Sequence, residues 1–161
     1  GAPIEPTGNP MRDGVGPASY AERMDEPDMT HHGEVKIVPL RAAHGYSVCA
    51  EDPDPRGMPV VACDGKEAGK IVDIWVDQSE HVVRYLEVAA GMRNVLLPIT
   101  FAIVKSEPRF VYVNAITSEQ FADVPGTKSP NQITFLEEDR ICGYFGGGTL
   151  YATPGRSEPI L

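Results

Sequence analysis

The stretch Asp64-Gly65-Lys66-Glu67-Ala68-Gly69-Lys70-Ile71-Val72-Asp73-Ile74-Trp75-Val76-Asp77-Gln78-Ser79-Glu80-His81-Val82-Val83-Arg84-Tyr85-Leu86-Glu87-Val88 decides the fold. Successive side chains of a strand point to opposite faces, so an extended chain here sets Val72, Ile74 and Val76 on one side and Asp73 and Asp77 on the other. After Asp77-Gln78-Ser79-Glu80 the alternation resumes, with Val82, Arg84, Leu86 and Val88 opposite His81, Val83, Tyr85 and Glu87. Two such runs across a short polar turn read as an antiparallel hairpin. Its tip gathers Asp77, Glu80, His81 and Arg84 above an apolar sheet. Spacing alone is satisfied by a solvated turn.

Outward from the hairpin, short apolar runs recur between breakers. Val35-Lys36-Ile37-Val38 stops at Pro39, as an opening or edge strand does, because proline donates no ladder hydrogen bond. Tyr46-Ser47-Val48 and Val60-Val61-Ala62 precede the hairpin, and Leu96-Leu97-Pro98-Ile99, Ala102-Ile103-Val104 and Phe110-Val111-Tyr112-Val113 follow it. Between the first two groups, Glu51-Asp52-Pro53-Asp54-Pro55-Arg56-Gly57-Met58 is a loop whose prolines and spacing do not fit a calcium site. The 15 prolines and 16 glycines in 161 residues fall between these runs, and the regular spacing predicts a small closed sheet. One domain is the expectation, since a chain of this length buries roughly 70% of its unfolded surface.

Thr117-Ser118-Glu119-Gln120-Phe121-Ala122-Asp123 predicts a single helical turn capped by Thr117 or Ser118 and stopped by Pro125. Thr134-Phe135-Leu136-Glu137 is a capping box with acids in the first turn, and Gly146-Gly147-Gly148 reads as the stop, which places one helix at about 135–146. These signals divide the chain into an extended arm at 1–34, a β domain with its helix at 35–146 and an irregular tail at 147–161.

The formal charge of −9 excludes a nucleic-acid surface of the usual basic kind. More than half of it sits in the arm, where Glu5, Asp13, Glu22, Asp25, Glu26, Asp28 and Glu34 face only Arg12 and Arg23. The arm has no period of two or 3.6 and cannot bury a face of its own. Yet Val15, Pro17, Ala18 and Tyr20 are too apolar and rigid for a Gly/Ser linker, which predicts an extended course over a partner. Cys49, Cys63 and Cys142 lack the count and spacing of a disulfide frame or zinc ribbon, and reduced thiols are expected. Uncharged residues 94–104, broken by Pro98, fall short of the roughly 20 needed to cross a bilayer. The chain begins Gly1-Ala2-Pro3 with neither initiator methionine nor signal pattern, as a fragment or processed product does.

Four separated blocks carry a resemblance. They are Asp13-Gly14-Val15-Gly16-Pro17-Ala18-Ser19-Tyr20; Lys36-Ile37-Val38-Pro39-Leu40; Ala68 through Asp77 with Glu80 and Arg84-Tyr85-Leu86-Glu87-Val88; and Leu136-Glu137-Glu138-Asp139-Arg140-Ile141-Cys142-Gly143-Tyr144 through Gly147. In the same order, they resemble the cytoplasmic domain of the H subunit of the purple bacterial photosynthetic reaction centre. The resemblance implies a mainly β fold, a small six-stranded antiparallel barrel of the PRC type, with an extended N-terminal arm and one C-terminal helix.

It also implies a non-catalytic, cofactor-free subunit that caps the cytoplasmic face of the core, stabilises the quinone sites and conducts protons to the secondary quinone. The partners implied are the L and M subunits, with a cytochrome subunit and light-harvesting antenna in the same complex. Quinones, bacteriochlorophyll, bacteriopheophytin and non-haem iron would sit in those partners. An anchoring transmembrane helix would lie upstream, holding the domain at the cytoplasmic face of the bacterial inner membrane. Asp13, Val15, Pro17, Tyr20 and Lys36 become interface residues, and Asp77, Glu80 and Arg84 lie beneath the secondary quinone pocket, with Glu80 the central relay. Lys70, Glu137 and Glu138 are interface or structural charges.

His31-His32-Gly33-Glu34, after Asp28, is the one local group with metal-ligand character. Neighbouring histidines on an extended chain diverge, so one ion would need a turn there. Through Lys36-Ile37-Val38-Pro39, His32 aligns with the family's proton-uptake histidine, whereas Glu34 stands where the family has its second; His31 would compensate. Histidines titrate near neutrality and carboxylates pass protons inward, which suits this role. Adventitious divalent metal at His31 and His32 fits the same reading. Two rivals use the same residues differently: a free-standing PRC-barrel adaptor of the ribosome-maturation type, and a small metal-dependent hydrolase built on His31, His32 and Glu34. The acidic arm and the 13–20 block count against the adaptor.

Overall fold

The computed structural model describes Met11 and residues 24–43 and 54–156. Asp13, Val15, Pro17, Tyr20 and the expected strand at Tyr46-Ser47-Val48 lie outside the described residues. Seven strands are found among those described: β1 (Ile37–Pro39), β2 (Pro59–Ala62), β3 (Glu67–Asp77), β4 (Val82–Ala90), β5 (Arg93–Pro98), β6 (Ile103–Ser106) and β7 (Arg109–Val113). They form one sheet, six of them in the order β5-β4-β3-β2-β7-β6 and β1 joined to β3 off that path. The mainly β architecture with one C-terminal helix is as expected. Two details differ: β2 pairs parallel with β7, and the terminal strands β5 and β6 are not paired with each other, so the sheet is not closed.

β3 is the axis of the sheet. Its long run pairs with β4 along one edge, while β2 takes residues 67–70 and β1 takes residues 75–77 of the other edge. The hairpin is therefore where the alternation put it, but the faces are not. Register shifts at Ile71/Asp73 and Trp75/Val76 interrupt the period of two, turning Asp73 inward and leaving Val72 45% exposed. Asp77, expected on the outer face, is fully buried because β1 lies against it. Ile71, Ile74 and Trp75 join Val60, Leu86, Val88, Leu97, Val111 and Val113 in the core. Each such side chain contributes roughly 1.5–3 kcal/mol by leaving water.

The helix, α1 (Phe135–Tyr151), starts as the capping box predicts: Thr134 Oγ1 accepts from the Glu137 amide at 3.1 Å, and Glu137 Oε1 accepts from the Thr134 amide at 2.9 Å. It runs past the glycines that were read as its stop. A Cβ on Gly148 would stand 2.4 Å from both Ala115 O and Ile116 Cγ2, so the small residue is there for close packing on the sheet. Phe145 meets Phe101 and Phe121 at centroid distances of 5.7 and 6.0 Å and closes the core from that side. The expected turn near 117–123 is a 3-10 helix at Glu119–Asp123, capped by neither Thr117 nor Ser118 side chain. Instead Asp64 accepts from Ser118 Oγ at 2.7 Å and from its amide at 3.2 Å.

The described part of the arm folds back on its own domain. Met11 is buried in the core, and the carbonyls of Glu26 and Met24 accept from the Phe135 and Leu136 amides at 2.9 and 3.3 Å. Two otherwise orphaned amides at the start of α1 are thereby satisfied. No helix of the described residues is long and apolar enough to cross a membrane.

Candidate functional site

Two segments far apart in function at first sight, the histidine stretch and the hairpin tip, are held side by side. Residues 28–36 form a tight loop: Met29 and Val35 bridge, the Thr30 amide donates to Glu34 O at 2.7 Å, and the Gly33 amide donates to Thr30 O at 3.0 Å. That last bond places His31 and His32 at the centre of a β-turn, with Gly33 in the left-handed region at φ 80°. The extended course assumed for the pair is thus replaced by a turn. The loop is stitched to the hairpin by the Gln78 amide, which donates to Lys36 O at 2.7 Å, and by Gln78 Nε2, which donates to Val35 O at 2.8 Å. His31, His32 and Glu34 are exposed and share a cleft of about 400 Å³ with Thr30, Gln78 and Ser79.

Asp77, next in sequence to the cleft residue Gln78, has no exposed surface. Its Oδ1 accepts from the Ser79 and Glu80 amides at 2.8 and 3.0 Å, and the His81 amide donates to its carbonyl at 2.8 Å, so one residue organises the whole turn. His81 takes φ 57°, the left-handed conformation that lets the chain enter β4. Asp77 Oδ2 is different: it is buried and receives no hydrogen bond. Lys36 Nζ and Arg84 NH1 stand 3.6 and 3.5 Å from it, at ion-pair rather than hydrogen-bond distance. Burial pulls the Lys36 ammonium down, but Asp77 and then Asp28, 3.5 Å away, outweigh it and raise its pKa. Lys36, expected at a partner interface, is thus engaged within the chain. Glu80 is exposed at the tip, where its amide donates to Asp77 Oδ1 and its carboxylate adds to the field that raises the Lys36 pKa.

Arg84 reaches on to α1, where its NH2 is 3.5 Å from Glu138 Oε1, which also accepts from the Tyr85 hydroxyl at 2.7 Å. The structure therefore brings together Asp77, Glu80, Arg84, His31, His32 and Glu34, and adds Asp28, Lys36, Tyr85 and Glu138. Glu138, expected as an interface or structural charge, joins the tip through Arg84 and Tyr85. Among the described residues no group of three His, Cys, Asp or Glu is arranged to hold a metal ion.

A second polar group was missed altogether. Arg41, in the 3-10 turn Leu40–Ala42, sets NH1 2.9 Å from both Asp73 Oδ2 and Glu87 Oε1, two carboxylates buried on β3 and β4. Glu87 also accepts from Trp75 Nε1 at 2.9 Å and Asn94 Nδ2 at 3.0 Å. The donors come from β3, β5 and the Arg41 turn, and both carboxylates are fully engaged in a satisfied network.

Comparison with protein families decides the identity. Residues 1–42 match the photosynthetic reaction centre H-chain N-terminal region, and residues 50–120 match the PRC-barrel domain. The chain belongs to the photosynthetic reaction-centre H-chain family. The first match covers the arm, the histidine turn, β1 and the Arg41 turn; the second covers the sheet, while α1 lies beyond both. An H chain is a structural subunit of an electron-transfer complex, associated with the core subunits of the reaction centre and with a photosynthetic membrane.

Proposed function

We propose that this H chain caps the cytoplasmic face of the L and M subunits, stabilises the quinone sites and passes protons to the secondary quinone. In this reading His31, His32 and Glu34 collect protons at the surface, and Asp77, Glu80 and Arg84 form the inner relay. Quinones, bacteriochlorophyll, bacteriopheophytin and non-haem iron belong to the partner subunits, and cytochrome and antenna proteins are further neighbours. The domain acts without catalysis or a cofactor of its own.

The observation that carries the reading is one of placement. An exposed histidine pair shares a cleft with Gln78 and Ser79, next in sequence to a wholly buried carboxylate with one oxygen lacking a donor. The histidine pair is open to water at the rim, and imidazole is the side chain suited to proton exchange. A buried acceptor left without a donor costs about 1–3 kcal/mol, which marks Asp77 Oδ2 as a buried oxygen still able to take a partner. Lys36 and Arg84 stand at ion-pair distance from that same oxygen.

The test is the double replacement of His31 and His32 by Ala in the assembled complex. Proton uptake after the second flash should slow several-fold, with partial recovery on adding imidazole buffer. Uptake at the unmodified rate would mean that protons take another way in.

A further inference from the structure

Each cation beside Asp77 is divided with a second carboxylate. Lys36 is shared between Asp77 and Asp28, at 3.6 and 3.5 Å, and Arg84 between Asp77 and Glu138, both at 3.5 Å. Two positive charges thus serve three acids on four different parts of the chain. What distinguishes Glu138 is how firmly it is held as a competitor. The Tyr85 hydroxyl donates to it at 2.7 Å, and burial first, then Glu138 itself, raise that hydroxyl so far that it keeps its proton. Glu138 also lies in the first turn of α1, where the helix dipole favours a carboxylate.

We infer that Glu138 is a positioning residue that rations the charge of Arg84 and so sets the proton occupancy of Asp77. The inference rests on the reading of the hairpin tip as a proton route, though its physical core, the coupling of Glu138 to Asp77, stands apart from it. The groups around Asp77 are Lys36 before β1, with Asp28 behind it, Arg84 on β4, with Glu138 behind it on α1, and the tip residues Glu80 and His81, whose amides donate to Asp77. Replacing Glu138 by Gln frees Arg84 for Asp77 and removes a like charge. Both changes favour ionised Asp77, so their signs add.

The experiment is an infrared titration of the Asp77 carboxyl stretch in the assembled complex, the band assigned by its loss in Asp77→Asn. Glu138→Gln should move its midpoint to lower pH by roughly half to one unit, and the pH profile of the second electron transfer should follow. Asp139→Asn, the same change of net charge on the next residue, should give less than half that shift. An unmoved or raised midpoint overturns the inference. Glu80→Gln separates the two claims. Normal second electron transfer in that variant beside a shifted Asp77 midpoint would overturn the proton route and leave the Glu138 coupling standing, and a slowed transfer with an unshifted midpoint would do the reverse.

Discussion

The guanidinium of Arg41 lies 2.9 Å from the carboxylate of Asp73, 32 residues away in sequence, and with the same nitrogen bridges to Glu87. The turn that ends the H-chain N-terminal match is thereby fastened to the two central strands of the sheet. Its remaining nitrogens donate to Asn131 Oδ1 and Pro130 O, ahead of α1. Replacing Arg41 by Met would leave two acids, 6% and 5% exposed, without their shared cation. Removing one partner of a buried ion pair costs about 3–5 kcal/mol, and partial exposure of Arg41 places this case near the lower bound. Urea denaturation of the variant should show that loss; a midpoint within experimental error of the unmodified chain would refute the role given to Arg41.

Gly148→Ala is expected to destabilise the chain although alanine is the better helix former by about 0.5–1 kcal/mol. The added Cβ meets the Ala115 carbonyl, a backbone atom that cannot yield without moving β7's continuation. Overpacking of this kind costs roughly 1–3 kcal/mol, which exceeds the propensity gain. A thermal midpoint raised by the substitution would show that the helix is free to shift.

The hairpin, most strands and the start of α1 were legible because their signals are local: alternation, proline stops and a capping box. The faces of β3 were not. Val72 and Asp73 exchange expected places because of bulges, and Asp73 is tolerable inside only through Arg41, which no short window of sequence contains. The glycine run at 146–148 reads as a stop until Ala115 and Ile116 are seen against it. The site shows the same division. Asp77, Glu80 and Arg84 were found as a cluster at the tip, yet the burial of Asp77 comes from β1, and the closeness of His31 and His32 comes from the Thr30 turn. Glu138 belongs to the cluster only through tertiary packing of α1.

Acid should loosen the joint between the β2-β3 turn and the Glu119–Asp123 helix. Burial works to raise the Asp64 carboxyl, but the Ser118 hydroxyl and the Lys66 and Ser118 amides outweigh it and hold its pKa below the usual carboxylate value. A depressed folded value stabilises the chain above the unfolded value of about 3.9 and is lost as pH falls through the folded one. Between about pH 5 and pH 3 the unmodified chain should therefore lose more stability than Asp64→Asn. Parallel stability curves for the two proteins would count against this joint.

The proposed proton route passes through the hairpin tip. Glu80→Gln in the assembled reaction centre keeps the shape of the side chain and removes its charge, and flash-induced kinetics separate the steps. The second, proton-coupled electron transfer to the secondary quinone should slow at least several-fold while primary charge separation keeps its rate. A second transfer as fast as in the unmodified complex would contradict the account.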